Sequence, residues 1–165
     1  MLRPVRLPAH VRGSLLLYSM PGRFEPLELV WEHVRADGVQ VIVNLAQPAE
    51  IQGYAPAYAR ALQNGQVPCP VISFPVQNHG IPGSREAFWE LAFNLAQRLE
   101  AADRILVHCA AGVGRSGSLA TCVLAALGEK PAVAAKAVRA ADAQPGTRRP
   151  RGLVAWCAAR RGVAG

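Results

Sequence analysis

The stretch Ile105-Leu106-Val107-His108-Cys109-Ala110-Ala111-Gly112-Val113-Gly114-Arg115-Ser116-Gly117 decides how the rest of the chain is read. Its opening run, Ile105 to Val107, has the length and apolarity of a buried strand. The run from Ser118 to Leu127 is mostly apolar and reads as a buried helix. Between them lies a loop with two glycines. A strand, a glycine-containing loop and a helix bring successive backbone N–H groups together at a helix N-terminus, which is an anion site. Cys109 opens this loop and Arg115 closes it.

The loop's residue types suit one chemistry. A free thiol titrates near ~8.5, and a helix N-terminus with a neighbouring arginine lowers that by up to several units. Cys109 is then a thiolate nucleophile. Arg115 offers a planar fork for two oxygens of a phosphate. The amides from Ala110, Ala111, Gly112, Val113, Gly114 and Arg115 are placed to hold three equatorial oxygens. Ser116 is placed to donate to the Cys109 sulfur and ease its departure. A nucleotide-binding loop of Walker type is excluded, because no Gly-Lys-Ser/Thr follows the glycines.

His-Cys-x5-Arg-Ser with glycines at these positions resembles the signature loop of the protein tyrosine and dual-specificity phosphatases. The resemblance runs from about Leu15 to Gly162 and is nearest to the compact, dual-specificity-like members. It implies an α/β fold with a central, mainly parallel sheet and helices on both faces. It also implies phosphomonoester hydrolysis through a phosphocysteine intermediate, with no metal and no organic cofactor. The expected partner is a phosphorylated protein or other phosphomonoester. Phosphotyrosine is expected over inositol lipids, because Ala110, Ala111 and Val113 stand where lipid-directed relatives often carry lysines.

The chain departs from the family pattern twice. Phe74 to Pro82 occupies the place of the family's acid loop, but Asn78 stands where an aspartate is expected. An amide cannot protonate a leaving group, and loss of general acid catalysis costs about 10²–10⁴ in rate. His79 is adjacent and is a residue type suited to proton transfer, and Glu50, in the loop after the 39–45 strand, is a further carboxyl within possible reach of the site. The second departure lies before the last helix. Relatives often carry a water-orienting glutamine there, and this sequence has arginines near Arg149. Those arginines either take a second anionic group or form a solvated basic face. The alternative to a working enzyme is therefore a phosphate-binding pseudophosphatase.

The chain has 165 residues, 51% hydrophobic and 18% charged, so a single globular domain over 1–165 is expected. No apolar run approaches the ~18 residues of a membrane span, and no secretory leader is evident, so a cytoplasmic monomer is expected. The net charge of +7 suits anionic ligands. Nucleic acid is not expected, because the arginines at 148, 149, 151, 160 and 161 lack interleaved aromatics or a recognisable motif. The cysteines at 69, 109, 122 and 157 have neither zinc nor disulfide spacing. Cys122 and Cys157 fall on apolar helical faces.

The remaining pattern alternates strands with helices. Residues 1–13 read as irregular. Strands are expected at 14–18, 39–45 and 71–74, and helices from about 26 to Gly38 and from 54 to 63. A loop is expected over 47–53. Ser84 caps a long helix whose inner face is Phe88, Leu91, Ala92, Leu95, Leu99 and Ala102. Pro131 opens the next helix, with a stripe of Val133, Ala137, Val138 and Ala141. A loop over 143–152 and a short helix over 153–161 close the chain.

Overall fold

The computed structural model describes residues 1–146 and 148–164, the last four of these as backbone only. Five strands form one sheet: β1 (Arg3–Val5), β2 (Ser14–Tyr18), β3 (Val41–Asn44), β4 (Val71–Ser73) and β5 (Arg104–His108). The strand order is β1-β2-β5-β3-β4. β2, β5, β3 and β4 run parallel, and β1 pairs antiparallel with β2 at the edge. The fold is thus α/β with a mainly parallel sheet.

Both faces of the sheet are covered, as a parallel sheet requires. Helices α1 (Leu27–Ala36), α2 (Pro48–Tyr54) and α3 (Pro56–Asn64) pack on one face. Helices α4 (Arg85–Glu100), α5 (Gly114–Ala126), α6 (Pro131–Ala140) and α7 (Arg148–Ala164) pack on the other. Alternate residues of β5 therefore serve two cores: Ile105 and Val107 join the α4–α7 side, and Leu106 the α1–α3 side. Every residue of α5 from Arg115 to Ala126 is buried; from Leu119 on its sequence is mostly apolar, and the buried Ser118 and Thr121 hydroxyls donate to the Gly114 and Gly117 carbonyls. Cys122 of α5 and Cys157 of α7 are both buried, as their apolar faces predict.

Several expectations are corrected. Residues 1–13 are not wholly irregular, since Arg3 to Val5 pair with Leu15 to Leu17. Pro4 is tolerated because β1 is an edge strand with no further neighbour. The expected loop over 47–53 is helix α2. Gln47 and Glu50 form a reciprocal capping box and Pro48 fills the first turn. Pro56 then restarts the chain as α3, so two helices stand where a loop and one helix are expected. α7 begins at Arg148 rather than near 153; Pro150 falls in its first turn, where a missing N–H removes no helical bond.

On α4, Ser84 accepts a hydrogen bond from the Ala87 amide at 3.1 Å, as a cap should. Ala102 is not on the inner face: it lies beyond the helix, exposed, at φ 74°. On α6 the buried face is Ala134 and Val138, while Val133 is 47% exposed. Of the expected stripe, Val138 and Ala141 are buried and Ala137 packs partly buried against the same core; Val133 alone leaves it, and Ala134 takes its place. Among the described residues, no helix is long and apolar enough to cross a membrane.

Candidate active site

The parallel strands all end at one edge of the sheet, and ligands of open α/β sheets bind there. The loop 109–113 leaves β5 at this edge and enters α5 at Gly114. Cys109 is 2% exposed and its Sγ accepts from the Gly112 amide at 3.2 Å. Burial alone would push this thiol up. The Ser116 hydroxyl and amide, the Arg115 charge and the Gly112 amide outweigh it and hold the thiol below its ordinary value. Among the described residues, the Ser116 hydroxyl has no hydrogen-bond partner of ordinary geometry. Its proton is therefore available to the sulfur when the sulfur ionises.

His108 precedes Cys109 and is fully buried. Its Nδ1 lies 3.0 Å from the Cys109 carbonyl oxygen, which can only accept, so Nδ1 carries the proton. Its Nε2 is then the acceptor for the Tyr58 hydroxyl at 2.8 Å. Burial, aided by the nearby Arg115 charge, lowers this imidazole to about 4. The ring is thus a neutral strut between α3 and the root of the loop.

Arg115 reaches back over the loop, 7% exposed. Its two terminal nitrogens hold Glu50 Oε2 at 2.7 Å and Oε1 at 2.8 Å, and one also donates to the Val76 carbonyl at 2.7 Å. Burial works against the guanidinium charge, but Glu50 and the Cys109 sulfur keep it charged. The hydrogen bonds from Arg115 outweigh burial at Glu50 and hold its carboxyl below the usual range. Glu50 Oε2 also accepts from the Gln47 amide at 2.8 Å. Glu50 does reach the site, then, but as an ionised clamp on Arg115; it is not available as an acid.

Two glycines are required by close approach. Gly112 has φ 76°, and a Cβ there would lie 2.2 Å from the Tyr18 carbonyl oxygen. At Gly117 a Cβ would meet the Gln144 backbone nitrogen at 2.6 Å.

Arg3, which the sequence gives no reason to single out, holds the loop from behind. Its Nη2 donates to the Gly112 carbonyl at 2.6 Å, and its Nη1 to the Ala141 and Asp142 carbonyls, each at 2.9 Å. A trans peptide places its C=O and the following N–H on opposite sides. Fixing the Gly112 carbonyl outward on Arg3 therefore turns the Val113 N–H the other way.

A cavity of about 380 Å³ opens above Cys109. Ala110, Ala111, Val113, Gly114 and Arg115 line its floor, and Val76, Pro82, Phe88, Pro150 and Leu153 give it apolar walls. Asn78 and His79 both line it. Adjacent residues seldom share a surface, but His79 has φ 59° and turns the chain back on itself. No aspartate or glutamate lines the cavity among the described residues. The basic cluster before and along α7 does not either: Arg148, Arg149, Arg151 and Arg160 are exposed, and Arg161 lies outside the described side chains. Gln144 is the polar side chain of that region on the cavity wall, together with Gly146. Gln144 lies five positions before Arg149 in the sequence.

Comparison with known proteins adds the family. The chain shares the fold of the kinase associated phosphatase KAP, solved with its catalytic-site cysteine substituted by serine. The TM-score is 0.83 at 19% identity, over 98% of this chain and 96% of that one. Human DUSP28 superposes with TM-score 0.69 at 18% identity, over 98% and 99% of the two chains. PTPMT1 in complex with PI(5)P superposes with TM-score 0.71 at 13% identity, over 96% and 97%. At these identities the likeness shows the fold alone. Among curated protein sequences, none matches. The model of PTP-SAK, the Swiss Army Knife DSP-PTPase phosphatase domain, matches residues 14–157. By that match, across most of its length, the chain belongs to the PTP-SAK family of DSP-PTPase phosphatase domains.

Proposed function

We propose that this chain is a single cysteine-dependent phosphatase domain that hydrolyses phosphotyrosine, with dual specificity open to it, as a monomer in the cytoplasm. The observation that carries this reading is the placement of Cys109. A buried sulfur with a lowered pKa faces a cavity floored by loop amides and by Arg115. The Cys109 thiolate attacks phosphorus, forming an S–P bond as the ester P–O bond breaks. The amides from Ala110 to Arg115 and the Arg115 fork hold the equatorial oxygens. Ser116 donates to the departing sulfur when water hydrolyses the phosphocysteine. Gln144 is the wall residue suited to orient that water.

The leaving oxygen needs a proton. Asn78 cannot supply one, and Glu50 is tied to Arg115. His79 is the one titratable group of the 74–82 loop on the cavity wall, so it takes the acid role. Activity is expected to survive EDTA and to vanish in Cys109→Ser and Arg115→Ala. In a pH–rate profile on a phosphotyrosine peptide, the high-pH limb is expected to disappear in His79→Ala.

A second reading has a specific observation behind it: no carboxylic acid lines the cavity among the described residues. A pseudophosphatase would bind phosphopeptide at micromolar concentrations with negligible turnover. A parent at background rate, rescued by Asn78→Asp, would establish that reading in place of the first.

A further inference from the structure

The cavity above Cys109 contains one cation that the reacting phosphate does not use. Arg23 lies in the turn after β2 and lines the same cavity as Cys109 and Arg115. Its guanidinium carbon sits 4.1 Å from the centre of the Tyr54 ring and 4.6 Å from that of Phe24. Both rings are largely open to solvent, at 52% and 68%. Aromatic faces attract a guanidinium through its plane and leave its N–H donors at the edge unoccupied.

Among the described residues, the Arg23 side chain makes no hydrogen bond or ion pair. Glu50 is near enough to feel its charge, but both Glu50 oxygens are held by Arg115. A planar fork is therefore fixed at the mouth of an anion cavity with its donors free. Such a fork matches the two oxygens of a carboxylate or phosphate.

We propose that Arg23 sets specificity by taking a second anionic group of the substrate, while Arg115 and the loop take the phosphate that is removed. This rests on the reading that phosphate binds at Cys109. The substrate class is a phosphomonoester with a second anion beside it. The apolar walls at Val76, Pro82, Phe88, Pro150 and Leu153 suit an aryl ring. The exposed faces of Phe24 and Tyr54 suit the residues next to it. Together they favour a phosphotyrosine peptide with an acidic neighbour over a small bisphosphate.

The test is calorimetric binding to the full chain carrying Cys109→Ser, alone and with Arg23→Ala or Arg23→Lys. The ligands are a phosphotyrosine peptide with flanking glutamates, the same peptide with glutamines, and the unphosphorylated glutamate peptide. A sugar bisphosphate and its monophosphate form a second arm. The glutamate phosphopeptide is expected to bind about five- to tenfold tighter than the glutamine one, the range of a partly exposed, fork-shaped ion pair. Arg23→Ala should bring that ratio to about one, and Arg23→Lys should keep only part of it.

A ratio that Arg23→Ala leaves intact overturns the inference. An Arg23-dependent preference for the bisphosphate, with none for the acidic peptide, overturns the peptide assignment. If the glutamate phosphopeptide binds no better than its unphosphorylated form, the phosphate site itself fails and this inference with it.

Discussion

Replacing Arg3 with methionine keeps most of the side chain's length and removes three hydrogen bonds that a charged donor makes to carbonyls. The bonds to Gly112 and Ala141 are partly buried and the one to Asp142 is exposed. A hydrogen bond to a charged group contributes about 1.5–3 kcal/mol when shielded from water, and an exposed one much less. Two partly shielded bonds at the low end give about 3 kcal/mol, and water reaching the freed carbonyls lowers that to about 2–3 kcal/mol. For a domain of this size 1 kcal/mol corresponds to ~2–4 °C, so Tm should fall by about 4–12 °C.

Arg3→Met has a second consequence, because Arg3 sets the direction of the Gly112–Val113 peptide. A lost transition-state amide costs about 10²–10³ in kcat. A loosened one should cost roughly tenfold, with KM moving less than kcat. Urea unfolding gives the first number, and steady-state kinetics on an aryl phosphate well below the lowered Tm gives the second. Arg3→Lys, with a point charge in place of a fork, should fall between. A Tm lowered by less than ~2 °C with unchanged kcat would refute the role of Arg3 in holding the loop.

Gly112→Ala should be among the most damaging single changes. Its Cβ would lie 2.2 Å from the Tyr18 carbonyl oxygen at φ 76°, and left-handed backbone alone costs about 1–2 kcal/mol. Destabilisation beyond about 3 kcal/mol is expected in urea unfolding, and a parent-like midpoint would contradict it. Stability should also fall as pH drops from about 6.5 to about 4 through His108, whose folded value is lowered to about 4 from 6.5. In that window the unfolded chain binds the proton and the folded one does not, so protons favour unfolding. The contribution is at most about 3 kcal/mol. The slope of stability against pH should flatten in His108→Gln, and an equal slope would locate the acid sensitivity elsewhere. Glu50→Gln should weaken phosphate binding about tenfold by freeing Arg115 from its clamp, measured by calorimetry. Tighter binding would mean that Glu50 competes with the ligand.

The chemistry of this site was legible in the sequence because most of it is contiguous. Cys109, the glycines, Arg115 and Ser116 lie within one strand–loop–helix unit, and local geometry fixes their relation. What holds the unit in place was not legible. Glu50 lies 65 positions from Arg115 and Arg3 lies 109 from Gly112; neither arrangement has a local pattern. α2 is illegible for a different reason. Its start is written in side-chain capping by Gln47 and Glu50, not in apolar periodicity, and Gly53 near its end reads as a break. The place of Gln144 on the cavity wall has no local signal either, because α7 begins earlier than its apolar residues suggest. Val133 falls off the buried face of α6, and Ala134 takes its place, because the neighbouring alanines fit either face.

The most direct test of Cys109 as nucleophile is acid-quenched labelling with a phosphotyrosine peptide that carries radioactive phosphate. One label per chain, acid-stable as a phosphocysteine, on the peptide containing Cys109 and absent in Cys109→Ser, is the predicted result. Turnover that persists in Cys109→Ser, or turnover by the parent with no label at Cys109 even in a rapid quench, would contradict it.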